Sequence, residues 1–127
     1  MSTYCVQSDI ENAFGVENVL QWSDIENTGS INATRITRCI AVASEKIDDT
    51  ARVTDKAVPL QNESGTTSVS VVDLAATLAG LWLYEARGAQ DYNPQTGEVS
   101  HRFEFKRQRS EQMLADIRDQ RIRIDAL

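Results

Sequence analysis

Residues 69–87 read VSVVDLAATLAGLWLYEAR, and this stretch decides the fold. Val71, Leu74, Ala75, Leu78, Leu81 and Trp82 recur at intervals of three and four residues, which places them on one broad helical face. A helix this apolar buries most of its surface, so it is expected to run through the centre of the core. Gly88 is placed to stop it. Its most apolar part, residues 71–84, is interrupted by Asp73, Thr77 and Gly80. That run is shorter than the roughly 20 residues a bilayer span needs, and no membrane association is expected.

Working outward, residues 33–50 carry a second stripe of Ile36, Cys39, Ile40, Ala43 and Ile47, with Asn32 placed as the N-cap. Arg35, Arg38, Glu45, Lys46 and the Asp48-Asp49 pair read as its solvated face. Nearer the start, Ser8 and Glu11 have the spacing of a capping box, and Val6 before them is placed for a hydrophobic staple. Ile10 and Phe14 share a face, and Gly15 fits the left-handed position that ends a short helix. A second short turn follows, with Val16, Val19, Leu20 and Trp22 as apolar anchors, and then a polar loop over residues 23–30.

Downstream, residues 102–120 read as a last helix whose candidate buried residues are Phe103, Phe105, Met113, Leu114 and Ile117. Residues 51–68 and 89–100 break the periodicity and read as long connections. The chain closes on Arg121-Ile122-Arg123-Ile124-Asp125-Ala126-Leu127, where the period becomes alternating, a strand signal. A lone strand has no partner inside a helical domain, so strand addition to another chain is expected. The expected fold is all-α: a small bundle of about four helices with long loops and a strand-like C-terminal extension. The helical domain takes residues 1–120 and the extension residues 121–127.

At 127 residues the chain has room for one modest core. Its net charge is −6, a poor basis for gripping nucleic acid, which needs clustered cations. The charge is also unevenly spread. Residues 1–101 hold 6 basic and 14 acidic residues, a net of −8, while residues 102–127 hold 7 basic and 5 acidic, a net of +2. Such a split suits a partner of opposite sign or a neighbouring copy. Two cysteines, Cys5 and Cys39, and one histidine, His101, are too few and too scattered for a zinc site, and a reducing, cytosolic setting fits them. Residues 1–9 show no basic or apolar leader region, so no signal peptide is expected.

No phosphate-binding glycine loop or nucleophile elbow is present. The one candidate general base is His101, at the edge of a polar loop. Asp24, Glu26, Thr28 and Gly29 sit near calcium-loop offsets, but the twelfth position is Arg35, a cation, so Gly29 reads as a turn residue instead. Neither an enzyme nor a cofactor or metal site is expected.

Tyr4-Cys5-Val6, Asp9-Ile10, Phe14-Gly15 and Val19-Leu20-Gln21-Trp22-Ser23-Asp24 resemble the opening of the phage head–tail connector (head-completion adaptor) family, which includes connector-like small proteins of Mu-type phages. The helix with Ala43-Ser44-Glu45-Lys46-Ile47-Asp48 is similar to that family's segment before its long loop, and Leu74 to Tyr84 is similar to its third helix. The likeness is specific over residues 4–50 and departs in two places: at residues 51–68, where only Val58-Pro59-Leu60 is kept, and at residues 89–102, a loop longer than the family's pattern. It implies a virion protein of the phage neck, assembled in the host cytoplasm. Such a protein forms a homo-oligomeric ring, commonly dodecameric, below the portal protein. The ring extends the DNA channel without reading sequence and docks stopper or tail-terminator proteins. On this resemblance Arg121, Ile122, Arg123, Ile124 and Leu127 are candidate portal-docking residues. Arg52, Asp55, Lys56 and Glu63 are candidates for a subunit interface or channel loop. The alternative is a small cytosolic helical interaction or regulatory module.

Overall fold

The computed structural model describes residues 3–24, 26–53, 67–86, 92–93, 98–99 and 103–119. Its elements are α1 (Gln7–Phe14), α2 (Val16–Ser23), α3 (Ala33–Ala51), α4 (Val69–Ala86), β1 (Tyr92–Asn93), β2 (Glu98–Val99) and α5 (Glu104–Arg118). The described residues therefore hold five helices, not about four, because the short turn after Gly15 is a two-turn helix of its own. The antiparallel pairing of Tyr92 with Val99 and Asn93 with Glu98 makes a minimal hairpin where only a loop was expected. The strand-like extension at residues 121–127, the domain boundary at residue 120, and Gly88 lie outside the described residues.

α4 is the centre, as its periodicity predicts. It packs against all four other helices. Val71, Leu74, Ala75, Ala76, Leu78, Ala79, Gly80, Leu81, Leu83 and Tyr84 are buried, so the buried surface extends nearly all round the helix rather than along one stripe. The helix is longer than its most apolar run suggested, and by length and composition it would pass for a membrane span. Its burial among the other helices explains that composition in terms of a core.

The N-terminal pair starts two residues earlier than the capping-box reading. Val6 is the N-cap, and its N–H donates to Asp9 Oδ2 at 2.8 Å. Ser8 and Glu11 do not form the box. Tyr4 and Cys5 are buried, which fixes where the chain turns into the helix, and Val6 is left 60% exposed rather than stapled. Gly15 has φ 95° and ψ 143°, a positive-φ conformation other than the expected left-handed helical one. Its N–H closes α1 on the Glu11 carbonyl at 2.7 Å, and its carbonyl accepts from Val19 N–H at 3.2 Å to open α2. Of the expected anchors in α2, Val19 and Trp22 are buried, Leu20 is half-buried, and Val16 is exposed.

Asn32 caps α3 as its position predicts, accepting from Thr34 N–H at 3.1 Å and Arg35 N–H at 3.3 Å. Buried Ser23 ties the loop to that cap, accepting from Asn32 N–H at 3.3 Å. The loop between them closes on Asp24, whose carboxylate takes the N–H of Thr28 at 2.8 Å and of Gly29 at 2.7 Å.

One end of the core is an aromatic corner. Phe14, Trp22, Tyr84 and Phe103, from α1, α2, α4 and the residue capping α5, meet edge to face with ring centroids 5.1–5.5 Å apart. Each such pair contributes about 0.5–1.5 kcal/mol beyond area burial. Phe103 is held with φ 66°, a left-handed conformation that costs a non-glycine residue on the order of 1 kcal/mol. Its contacts with three rings offset that strain.

Candidate functional site

The outer surface of α3 is built by what α3 turns inward. Ile36, Cys39, Ala43 and Ile47 face the core as expected, Ile40 packs against it half-buried, and Ala51, one residue past the expected helix end, is buried as well. Asp48 does not lie on the solvated face; it is 4% exposed. The Tyr4 hydroxyl donates to Asp48 Oδ1, and Tyr4 N–H donates to Ser44 Oγ at 3.1 Å. Ser44 and Asp48, one helical turn apart, thus form a polar clasp that fastens the N-terminal strap to α3. A buried carboxylate demands such partners. The legible signal was Tyr4, an aromatic whose hydroxyl seeks a partner when buried.

With Asp48 inside, the residues left outside are Arg38, Glu45, Lys46, Asp49 and Arg52. All but Arg52 line, with Ala41, Val42, Thr50, Val53 and Arg118 of α5, a groove of about 640 Å³ along the outer side of α3. α5 lies alongside, joined by the Lys46–Glu111 ion pair at 2.9 Å. Arg52, the candidate interface residue that falls within the described chain, caps the C-terminal end of α3, and its guanidinium sits on Glu45 and Asp49 of the same helix. Asp55, Lys56, Glu63, Arg121, Ile122, Arg123, Ile124, Leu127 and His101 lie outside the described residues. Exposed pairs such as these are worth about 0–1 kcal/mol each, so they shape the surface more than they hold the fold.

Arg35, expected on the solvated face, instead lies half-buried over the Trp82 ring, 5.2 Å from its centroid.

α5 departs most from its expected pattern. Leu114 and Ile117 join the core and Phe103 and Met113 pack against it half-buried, but Phe105 is 77% exposed. Lys106 turns the other way and places its Nζ 5.0 Å from the Phe14 ring centroid. Arg107 bridges to Glu85 at 2.7 Å and Glu104 at 3.3 Å. Arg109, one turn from Phe105, is exposed and forms no ion pair with any described residue.

Among the described residues no three of His, Cys, Asp and Glu gather as a metal site would require. Burial, with the negative charge of Asp9 added, pushes the Cys5 thiol up to about 12. Burial, chiefly, and the neighbouring Cys5 push Cys39 up to about 12. Both stay protonated and poorly nucleophilic at neutral pH.

Among curated proteins none matches the chain. The family described as Bacteriophage Mu, Gp36 matches it over residues 4–126. That span runs from the Tyr4 clasp through every described element, and the chain accordingly belongs to the bacteriophage Mu Gp36 family.

Proposed function

We propose that the protein is a structural component of the virion neck, a head–tail connector without catalytic activity of its own. Copies form a ring, commonly dodecameric in proteins of this kind, that sits below the portal protein. The ring extends the channel through which DNA passes and offers stopper or tail proteins a docking surface. The observation that carries this reading is membership of a bacteriophage family over residues 4–126, on a chain whose residues 4–50 resemble connector proteins. Charge supports it as well: the net −8 of residues 1–101 suits a surface that DNA slides past rather than binds. The alternating segment Arg121, Ile122, Arg123, Ile124 and Leu127 serves as the portal-docking arm. Arg52, Asp55, Lys56 and Glu63 serve the subunit interface or the channel.

Mass measurement of the full chain with and without portal protein tests the reading. A ring-sized particle, or one formed only on portal, is expected. Deleting residues 121–127 should abolish portal binding while leaving helicity unchanged, and unchanged binding removes the docking-arm assignment. A full chain that stays monomeric or dimeric and ignores portal favours a cytosolic interaction module instead.

A further inference from the structure

Two small surface patches have opposite charge, and each presents an apolar residue that stands exposed among the described residues. The first is on α5. Phe105 and Arg109 are four residues apart on one helical face, and both are exposed. An aromatic ring left 77% exposed contributes almost nothing to its own fold. It differs in this from Phe103, two residues earlier, which closes the aromatic corner. The cations beside it are committed elsewhere, Lys106 to the Phe14 ring and Arg107 to Glu85 and Glu104. Arg109 keeps its charge on the surface.

The second patch opens α2. Val16 is 60% exposed, and Glu17 beside it is exposed too. Glu17 belongs to a stretch of one sign: residues 1–34 contain five carboxylates, Asp9, Glu11, Glu17, Asp24 and Glu26, and no Lys or Arg at all. No cation of the described chain pairs with Glu17.

We propose that these patches are the two halves of one contact between copies of this chain, with Phe105 and Arg109 of one copy seated on Val16 and Glu17 of the next. The occupant is a second copy because the chain itself supplies both complements, aromatic against aliphatic and guanidinium against carboxylate. The patches share no residue, so the contact pairs unlike surfaces. It rests on the ring reading for its place in a larger assembly, but not for its existence.

Sedimentation of the full chain tests it, with fold checked by circular dichroism. The parent self-associates below about 1 mM, the weak end of specific affinities. Association weakens as salt rises, because exposed charges are screened. R109E and E17R each weaken it at least about tenfold, and the double variant R109E/E17R recovers most of the loss, as a swapped ion pair should. F105S weakens it without changing the fold. A parent that remains monomeric to that concentration overturns the proposal, whether the face is idle or serves another protein. So do single variants that associate as the parent does, or a double variant that stays as weak as the singles. A particle that follows the swaps but closes as a dimer supports the contact and overturns the ring. A larger closed particle that follows them supports both.

Discussion

The ring of Phe14 rests on the backbone of α4 at Gly80, so closely that a Cβ on Gly80 would overlap the ring's Cδ2 and Cε2 edge. The glycine permits α1 to approach the central helix at van der Waals distance of its main chain, which places Phe14 within reach of Trp22 and Phe103. It is a packing requirement and not a conformational one, since Gly80 sits in regular helix.

Gly80→Ala is therefore expected to destabilise the fold by about 2 kcal/mol or more, despite alanine's better helix propensity, because overpacking outweighs a propensity gain of about 1 kcal/mol. Urea unfolding of the variant measures it. Adding Phe14→Leu should recover part of the loss in the double variant, and strict additivity of the two changes would show that the residues do not touch.

Tyr4→Phe removes the hydroxyl that donates to buried Asp48. The carboxylate then loses a donor, and the expected cost is about 1–3 kcal/mol. Denaturant midpoints read it. Phe103→Leu, which removes the edge-to-face contacts of the aromatic corner, shares no partner with Tyr4 among the described residues and should add independently.

The two helix starts separate cleanly by mutation. Asn32→Ala should cost about 1 kcal/mol, and Asp9→Ala a comparable or smaller amount, since each removes a carbonyl or carboxylate oxygen that holds a first-turn or capping N–H. Ser8→Ala should change stability by less than about 0.5 kcal/mol, as surface substitutions do. A large effect at Ser8 would restore the later start of α1.

The buried thiols make stability fall in alkali. Cys5 and Cys39 ionise ordinarily at 9.0 but at about 12 in the fold. Between those values the folded state holds protons that the unfolded chain has released. This contribution is complete below pH 9 and is lost as pH rises toward 12. Urea midpoints from pH 8 to 11 should fall more steeply for the parent than for the Cys5→Ala/Cys39→Ala double variant. An equal slope would assign the alkaline loss to other groups.

What the sequence determined by itself is four of the five helices and the choice of α4 as their centre. Apolar period, an Asn cap at position 32 and a glycine at position 15 are local properties, and the backbone answers them locally. What only the tertiary structure decided is which residues those helices hide. Asp48 reads as surface until Tyr4, 44 positions away, brings a hydroxyl to it. Phe103 and Phe105 read alike in the sequence, but the aromatic corner assembled from four separate segments takes one and leaves the other in solvent. Gly80 reads as a break in an apolar run until the Phe14 ring occupies the space its side chain would have filled. Periodicity reports that a face exists. Burial is set by what arrives from elsewhere in the chain to cover it, and that same process leaves Phe105 and Val16 uncovered, where a second copy is proposed to meet them.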